Sequence, residues 1–129
     1  MKKIYSKVEP HKLLHIVHRY GEIVDRTNVA PEDEFLQLAT LRMKKGTTFR
    51  PHKHIYKQGK DQVIAQESWV VINGKVRVIM FDLNDKIIAT PILKMGDCSM
   101  TFAGGHTYEI LEDDTVVYEY KTGPYTGIK

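Results

Sequence analysis

The stretch that decides the fold is residues 68–81, SWVVINGKVRVIMF. Two runs rich in β-branched and aromatic residues flank Asn73-Gly74, a dipeptide suited to positive φ at both positions. The pattern predicts an antiparallel hairpin in which residues 67–71 pair with residues 75–81. The same grammar repeats on either side. Upstream, residues 35–43 (FLQLATLRM) pass through a Lys44-Lys45-Gly46 turn into residues 47–55 (TTFRPHKHI). Downstream, turns at 82–85, 95–97, 103–105 and 112–114 separate expected strands at 86–93, 98–102, 106–111 and 115–121. Short strands punctuated about every ten residues specify an all-β sandwich or barrel.

A chain of 129 residues suits one domain, read here as an N-terminal arm and loop (1–34) and a barrel (35–129). With 42% apolar and 27% charged residues the composition excludes disordered and collagen-like chains. No apolar run reaches the ~18 residues of a membrane helix. The lysines of MKKIYSKVEP are followed by no apolar core of a signal peptide, so a cytoplasmic protein is expected. One cysteine, Cys98, permits no internal disulfide and reads as a small buried hydrophobe. The net charge of +3 comes from scattered lysines without a nucleic-acid-binding module, so no nucleic-acid partner is expected. Within residues 11–20, Leu13, Ile16, Val17 and Tyr20 fit a helical stripe, and Ser6 with Glu9 fits a capping box. LLHIVHRY is equally rich in β-formers, and both readings stand. The arm is more apolar than a solvated segment needs, which predicts a symmetric homodimer built through it.

The six histidines form two groups. His11, His15 and His18 read as surface or packing residues. His52 and His54 are different, because residues i and i+2 of a strand share a face. Arg50, His52 and His54 are expected on one face, where two imidazoles can converge on an ion. Pro51 points away from them and signals an edge strand or a bulge. A carboxylate and a third histidine from neighbouring strands would complete a nitrogen–oxygen site.

Gly46-x5-His52-x-His54, with Glu67-x6-Gly74 after it, resembles the first motif of the cupin superfamily. Gly96-Asp97 followed by Phe102-Ala-Gly104-Gly-His106 is similar to the second. The resemblance implies a small antiparallel jelly-roll barrel with one divalent transition metal ion (Fe, Mn, Zn or Ni) in its mouth. It implies His52, His54, Glu67 and His106 as ligands. Two departures stand out. Twelve residues, 55–66, separate His54 from Glu67 where the family has three or four, leaving Gln62 and Gln66 as alternatives to Glu67. Phe102 replaces the usual proline, and one residue, not two, separates Gly104 from His106. The long insertion is either a lid or a plain connection. LQLATLRMKKGTTFRPHKH, QESWVVINGKVRVIMFD and VVYEYKTGPY further resemble small cupin metalloproteins encoded among O-antigen and capsule biosynthesis genes.

These readings imply a metal-binding cupin with a small-molecule ligand, a carbohydrate or oxygen-rich acid, in cell-surface polysaccharide metabolism. Isomerase, epimerase or lyase chemistry with the metal as Lewis acid is the first expectation. An Fe(II)-dependent dioxygenase and a non-catalytic sugar-binding cupin are the alternatives. Tyr108 shares a face with His106 in a regular strand, as a catalytic proton donor or a wall residue. Arg50 suits a carboxylate or phosphate on the substrate. Trp69 shares the face of Glu67, as a ligand-stacking wall or a core plug. Which of Tyr118 and Glu119 faces inward is not decided by the sequence.

Overall fold

The computed structural model describes residues 1–54 and 65–124. Most of the 55–66 insertion, including Lys57, Gln58, Lys60 and Gln62, and residues 125–129, Tyr125 among them, lie outside the described residues, as do the side chains at 52–54. The N-terminus forms a hairpin of β1 (Lys2–Tyr5) and β2 (Leu13–Val17). A short 3-10 turn, Tyr20–Glu22, follows, then β3 (Arg26–Asn28), β4 (Leu36–Met43) and β5 (His52–His54). Next come β6 (Glu67–Asn73), β7 (Lys75–Phe81), β8 (Ile87–Ala89) and β9 (Ile92–Lys94). The series ends with β10 (Cys98–Thr101), β11 (Gly104–Ile110) and β12 (Thr115–Thr122).

Two antiparallel sheets face one another. Sheet I has the order β10-β6-β12-β4-β3, and sheet II the order β5-β11-β7-β8, with β9 also paired to β7. Their inner faces meet in a core of Leu41, Val71, Val76, Val78, Leu93, Ile110 and Val117 around Trp69 and Tyr108. Each fully buried valine there contributes roughly 1.5–3 kcal/mol relative to exposure. This is the expected all-β jelly roll. Among the described residues no helix is long and apolar enough to cross a membrane.

The hairpin expected across Asn73-Gly74 does not form. β6 pairs with β10 and β12, whereas β7 pairs with β11, β8 and β9, so the chain changes sheets at Gly74. A two-residue hairpin turn of the Asn-Gly type needs positive φ at both residues, and only Gly74 has it, at 86°. Gly74 also passes so close to β12 that a Cβ there would sit 2.8 Å from the Thr115 Cα. The glycine serves a sheet corner and a close backbone approach. The face assignment within β6 does hold: Glu67, Trp69 and Val71 point inward and are buried, while Ser68 and Val70 are partly exposed.

Other expectations need adjusting. Residues 13–17 form a strand, and the Ser6 hydroxyl accepts the backbone N–H groups of Val8 (3.0 Å) and Glu9 (2.9 Å) in a turn without a helix. The 47–55 strand shrinks to β5 plus a single Thr48–Glu109 bridge, and the register against β11 slips by one residue between them, around Pro51. β5 is a sheet edge, as the proline indicated. The 86–93 strand is broken before Pro91 into β8 and β9. Cys98 is exposed on the edge strand β10, not buried.

Candidate functional site

The site follows from three rows of inward-facing residues laid across sheet I. At one end the row is Leu41, Val117 and Val71. The middle row is Ala39, Glu119, Trp69 and Ser99. At the other end lie Gln37, Lys121, Glu67 and Thr101. Sheet II is graded in the same direction, from Leu93, Val76 and Ile110, through Val78 and Tyr108, to Met80 and His106. The barrel therefore has an apolar end and a polar end.

At the polar end the two sheets bring Glu67 and His106 together. His106 Nε2 lies 2.5 Å from Glu67 Oε2, and both side chains are almost entirely out of solvent. The other ring nitrogen of His106, Nδ1, lies 2.8 Å from Thr101 Oγ1 and 3.1 Å from the Tyr108 hydroxyl. Both neighbours are hydroxyls that can donate or accept, so they hold the ring in place whichever nitrogen carries the proton. Across the ladder, position 52 stands opposite His106, and position 54 opposite Gly104. At Gly104, φ is 81° and a Cβ would lie 2.7 Å from the Phe81 carbonyl oxygen, so only glycine fits where β11 starts.

Tyr108 is buried beside this pair. Burial, then the negative charges of Glu67 and Glu119, push its phenol well above the usual tyrosine range. It is held as a neutral hydroxyl. Trp69 stacks on it with centroids 3.5 Å apart and planes within 3° of parallel. Phe49 meets Trp69 edge-on at 5.4 Å. With no exposed surface Trp69 fills the core, the second of its two anticipated roles. Its indole N–H donates to Glu119 (2.9 Å), whose other oxygen accepts from Arg26 (2.8 Å). Glu119 is thus the inward residue and Tyr118 the outward one.

Of the residues singled out from sequence, Glu67, His106, Tyr108 and Trp69 come together. Arg50 is exposed in the segment ahead of β5. Among the described residues no three His, Cys, Asp or Glu side chains gather in metal-binding geometry. His52 and His54 enter through backbone register alone, since their side chains lie outside the description. Sequence reasoning missed Thr101 and Arg26, and left the facing of Glu119 open. For Thr101 a signal existed: it directly precedes the Phe102–His106 motif, two residues after inward Ser99.

No protein-family model and no curated protein matches the sequence. Solved structures do match. The Cnp3 cupin domain of Schizosaccharomyces pombe superposes with a TM-score of 0.67 at 10% identity, over 94% of this chain and 81% of that one. KdgF from Halomonas sp. gives 0.59 at 19% identity, over 75% and 76%. An RmlC-like cupin protein from Desulfovibrio desulfuricans gives 0.54 at 17% identity, over 87% and 93%. Identities this low speak for the fold alone. The chain has the fold of these cupin structures.

Proposed function

We propose that the polar end of the barrel binds one divalent transition metal ion and acts on a carbohydrate or small oxygen-rich acid, by isomerase, epimerase or lyase-type chemistry. The observation that carries this reading is the buried Glu67–His106 pair, opposite position 52. A carboxylate and an imidazole facing each other in a water-poor site, with the second ring nitrogen already anchored by hydroxyls, is the donor arrangement a borderline metal requires. Glu67 and His106 suit such an ion, and the sequence resemblance implies His52 and His54 as its further ligands. Gln66, described next to β6, is the alternative oxygen donor that sequence spacing leaves open, together with Gln62. When bound, the ion supplies Lewis acidity toward a substrate carbonyl or enediolate.

The chain's own residues do the rest. Thr101 and Tyr108 fix the His106 ring from behind, so that Nε2 faces Glu67. Tyr108, kept neutral by burial and by two carboxylates, retains a proton to donate when charge develops on substrate oxygen. Trp69 and Phe49 close the floor beneath Tyr108 and keep water from that side. Arg50, exposed ahead of β5, would take an anionic group of the substrate. A cytoplasmic setting in cell-surface polysaccharide metabolism is proposed on the sequence resemblance.

The test is proton exchange in D2O. Protein loaded anaerobically with Fe, Mn, Zn or Ni is offered sugar acids and nucleotide-linked keto-sugars while the proton next to the carbonyl is followed by NMR. Exchange with at least one ion, slowed ~10²-fold or more by Tyr108→Phe, is expected. Oxygen uptake without exchange would favour an iron(II) dioxygenase. Ligand binding with neither would favour a non-catalytic sugar-binding protein.

A further inference from the structure

The charged side chains that sheet I sends inward balance one another. Arg26 and Glu119 meet at 2.8 Å on the inner face, and Lys121 and Glu67 stand directly opposite each other at the polar end. Among the described residues these are the ionisable groups of that face, two acids and two bases. Glu119 has hydrogen bonds on both oxygens: the Trp69 indole donates to one at 2.9 Å and Arg26 to the other at 2.8 Å. Glu67 faces His106. Lys121 is the member of the set with no part in the site described above.

Its position is unusual for a lysine. It stands on β12 between Gln37 of β4 and Glu67 of β6, and its side chain is only 13% exposed. Lysine is rarely buried this far without a use for its charge. Neighbours across an antiparallel ladder have Cβ atoms about 4.5–5.5 Å apart, so the stem of Lys121 starts beside the carboxylate of the proposed metal site. Its Nζ leans toward Glu119 but stops 3.9 Å from Oε1, the oxygen that Arg26 already holds. That is an ion-pair distance and too long for a hydrogen bond. On the other flank Gln37 donates both amide hydrogens, to the Pro31 and Glu34 carbonyls.

The balance matters once a divalent ion is bound. With Glu67 and neutral imidazoles as its ligands, two positive charges would be added to a face that is neutral without them. Uncompensated charge in a water-poor interior is costly, and a ligand carrying negative charge removes that cost. We propose that Lys121 anchors the carboxylate of the ligand, so that the site takes an oxygen-rich acid in preference to a neutral carbohydrate. The inference rests on the metal-dependent reading above and narrows its substrate class. An ammonium on a flexible stem, shielded from water, suits a carboxylate through a charge-assisted hydrogen bond. Arg50, exposed ahead of β5, acts from solvent, where its charge is screened; Lys121 acts from inside.

Oxalate and its neutral diamide, oxamide, are the probes, titrated by calorimetry into the zinc-loaded full chain. Wild type should prefer oxalate. Lys121→Met keeps an unbranched stem and should weaken oxalate binding ~10-fold or more, while oxamide binding changes less than ~2-fold. Lys121→Arg should recover most of the loss. Lys86→Met, which removes an exposed charge ahead of β8, should leave both affinities unchanged. Zinc content, circular dichroism and the emission of Trp69, the sole tryptophan, are followed in the same samples and should match wild type in Lys121→Met. A wild type that holds no zinc overturns the metal-dependent reading and this proposal with it. A wild type that holds zinc without preferring oxalate, or a preference that survives Lys121→Met, overturns this proposal alone. So does a shifted Trp69 emission in Lys121→Met, which would make the lysine a prop for Glu119.

Discussion

The two ends of the barrel are built from the same strands and differ in what those strands send inward. Along β6 the inward series is Val71, Trp69, Glu67; along β11 it is Ile110, Tyr108, His106; along β12 it is Val117, Glu119, Lys121. Each runs from aliphatic, through a large or hydrogen-bonding side chain, to a charged or imidazole one. The apolar end supplies the burial that fixes the backbone. That fixed backbone holds the polar groups at the other end where water cannot relax them. Apolar packing and buried polar groups are separated along the barrel axis, and Trp69 with Tyr108 marks the boundary.

Substitutions on either side of that boundary should therefore behave differently. The largest effect is expected from Val117→Asp at the apolar end, where a carboxylate would be buried without a partner. This variant should fail to give folded protein, and a normal circular dichroism spectrum from it would break the comparison. Next is Trp69→Ala at the boundary, which empties the floor and leaves Glu119 without its indole donor. It should cost ~3–5 kcal/mol, read as a lower urea midpoint. At the polar end Glu67→Gln keeps the shape and a hydrogen-bonding oxygen beside His106. It should shift stability by less than ~1 kcal/mol while divalent-ion uptake, followed by calorimetry, is lost.

The smallest effect sharpens the boundary. Tyr108 is raised above its ordinary value in the folded chain, whereas the unfolded chain releases that proton near the usual ~10. Above that pH the folded state binds the extra proton, so stability falls as pH rises, and the Tyr108 contribution is fully present only below it. In metal-free protein, Tyr108→Phe should lose less stability than wild type between about pH 10 and 11. Its phenolate absorbance at pH 11 should match that of the folded wild type. A smaller phenolate signal in the variant would mean that Tyr108 ionises normally.

Much of this was legible in the sequence, because alternation is a local property. The inward set Glu67, Trp69 and Val71, and the shared face of His106 and Tyr108, follow from a period of two once strands are assigned. What stayed hidden depends on which strands meet. A chain crossing between sheets at Gly74 looks locally like a hairpin, since both need two β runs and a glycine. The pairing of β6 with β12 and of β7 with β11, which decides between them, is remote in sequence. For the same reason TVVYEYK does not reveal whether Tyr118 or Glu119 faces in until its neighbours are known. Cys98 is exposed because β10 ends sheet I, and edge position is a property of the whole sheet.

The polar end is proposed to be a metal site assembled from both sheets. Equilibrium dialysis against a divalent transition ion, followed by elemental analysis, tests it most directly in wild type, His106→Ala and the His52→Ala/His54→Ala double variant. One ion per chain in wild type, and none retained in either variant, is the result expected. An empty wild type, or full occupancy in the variants, would contradict it.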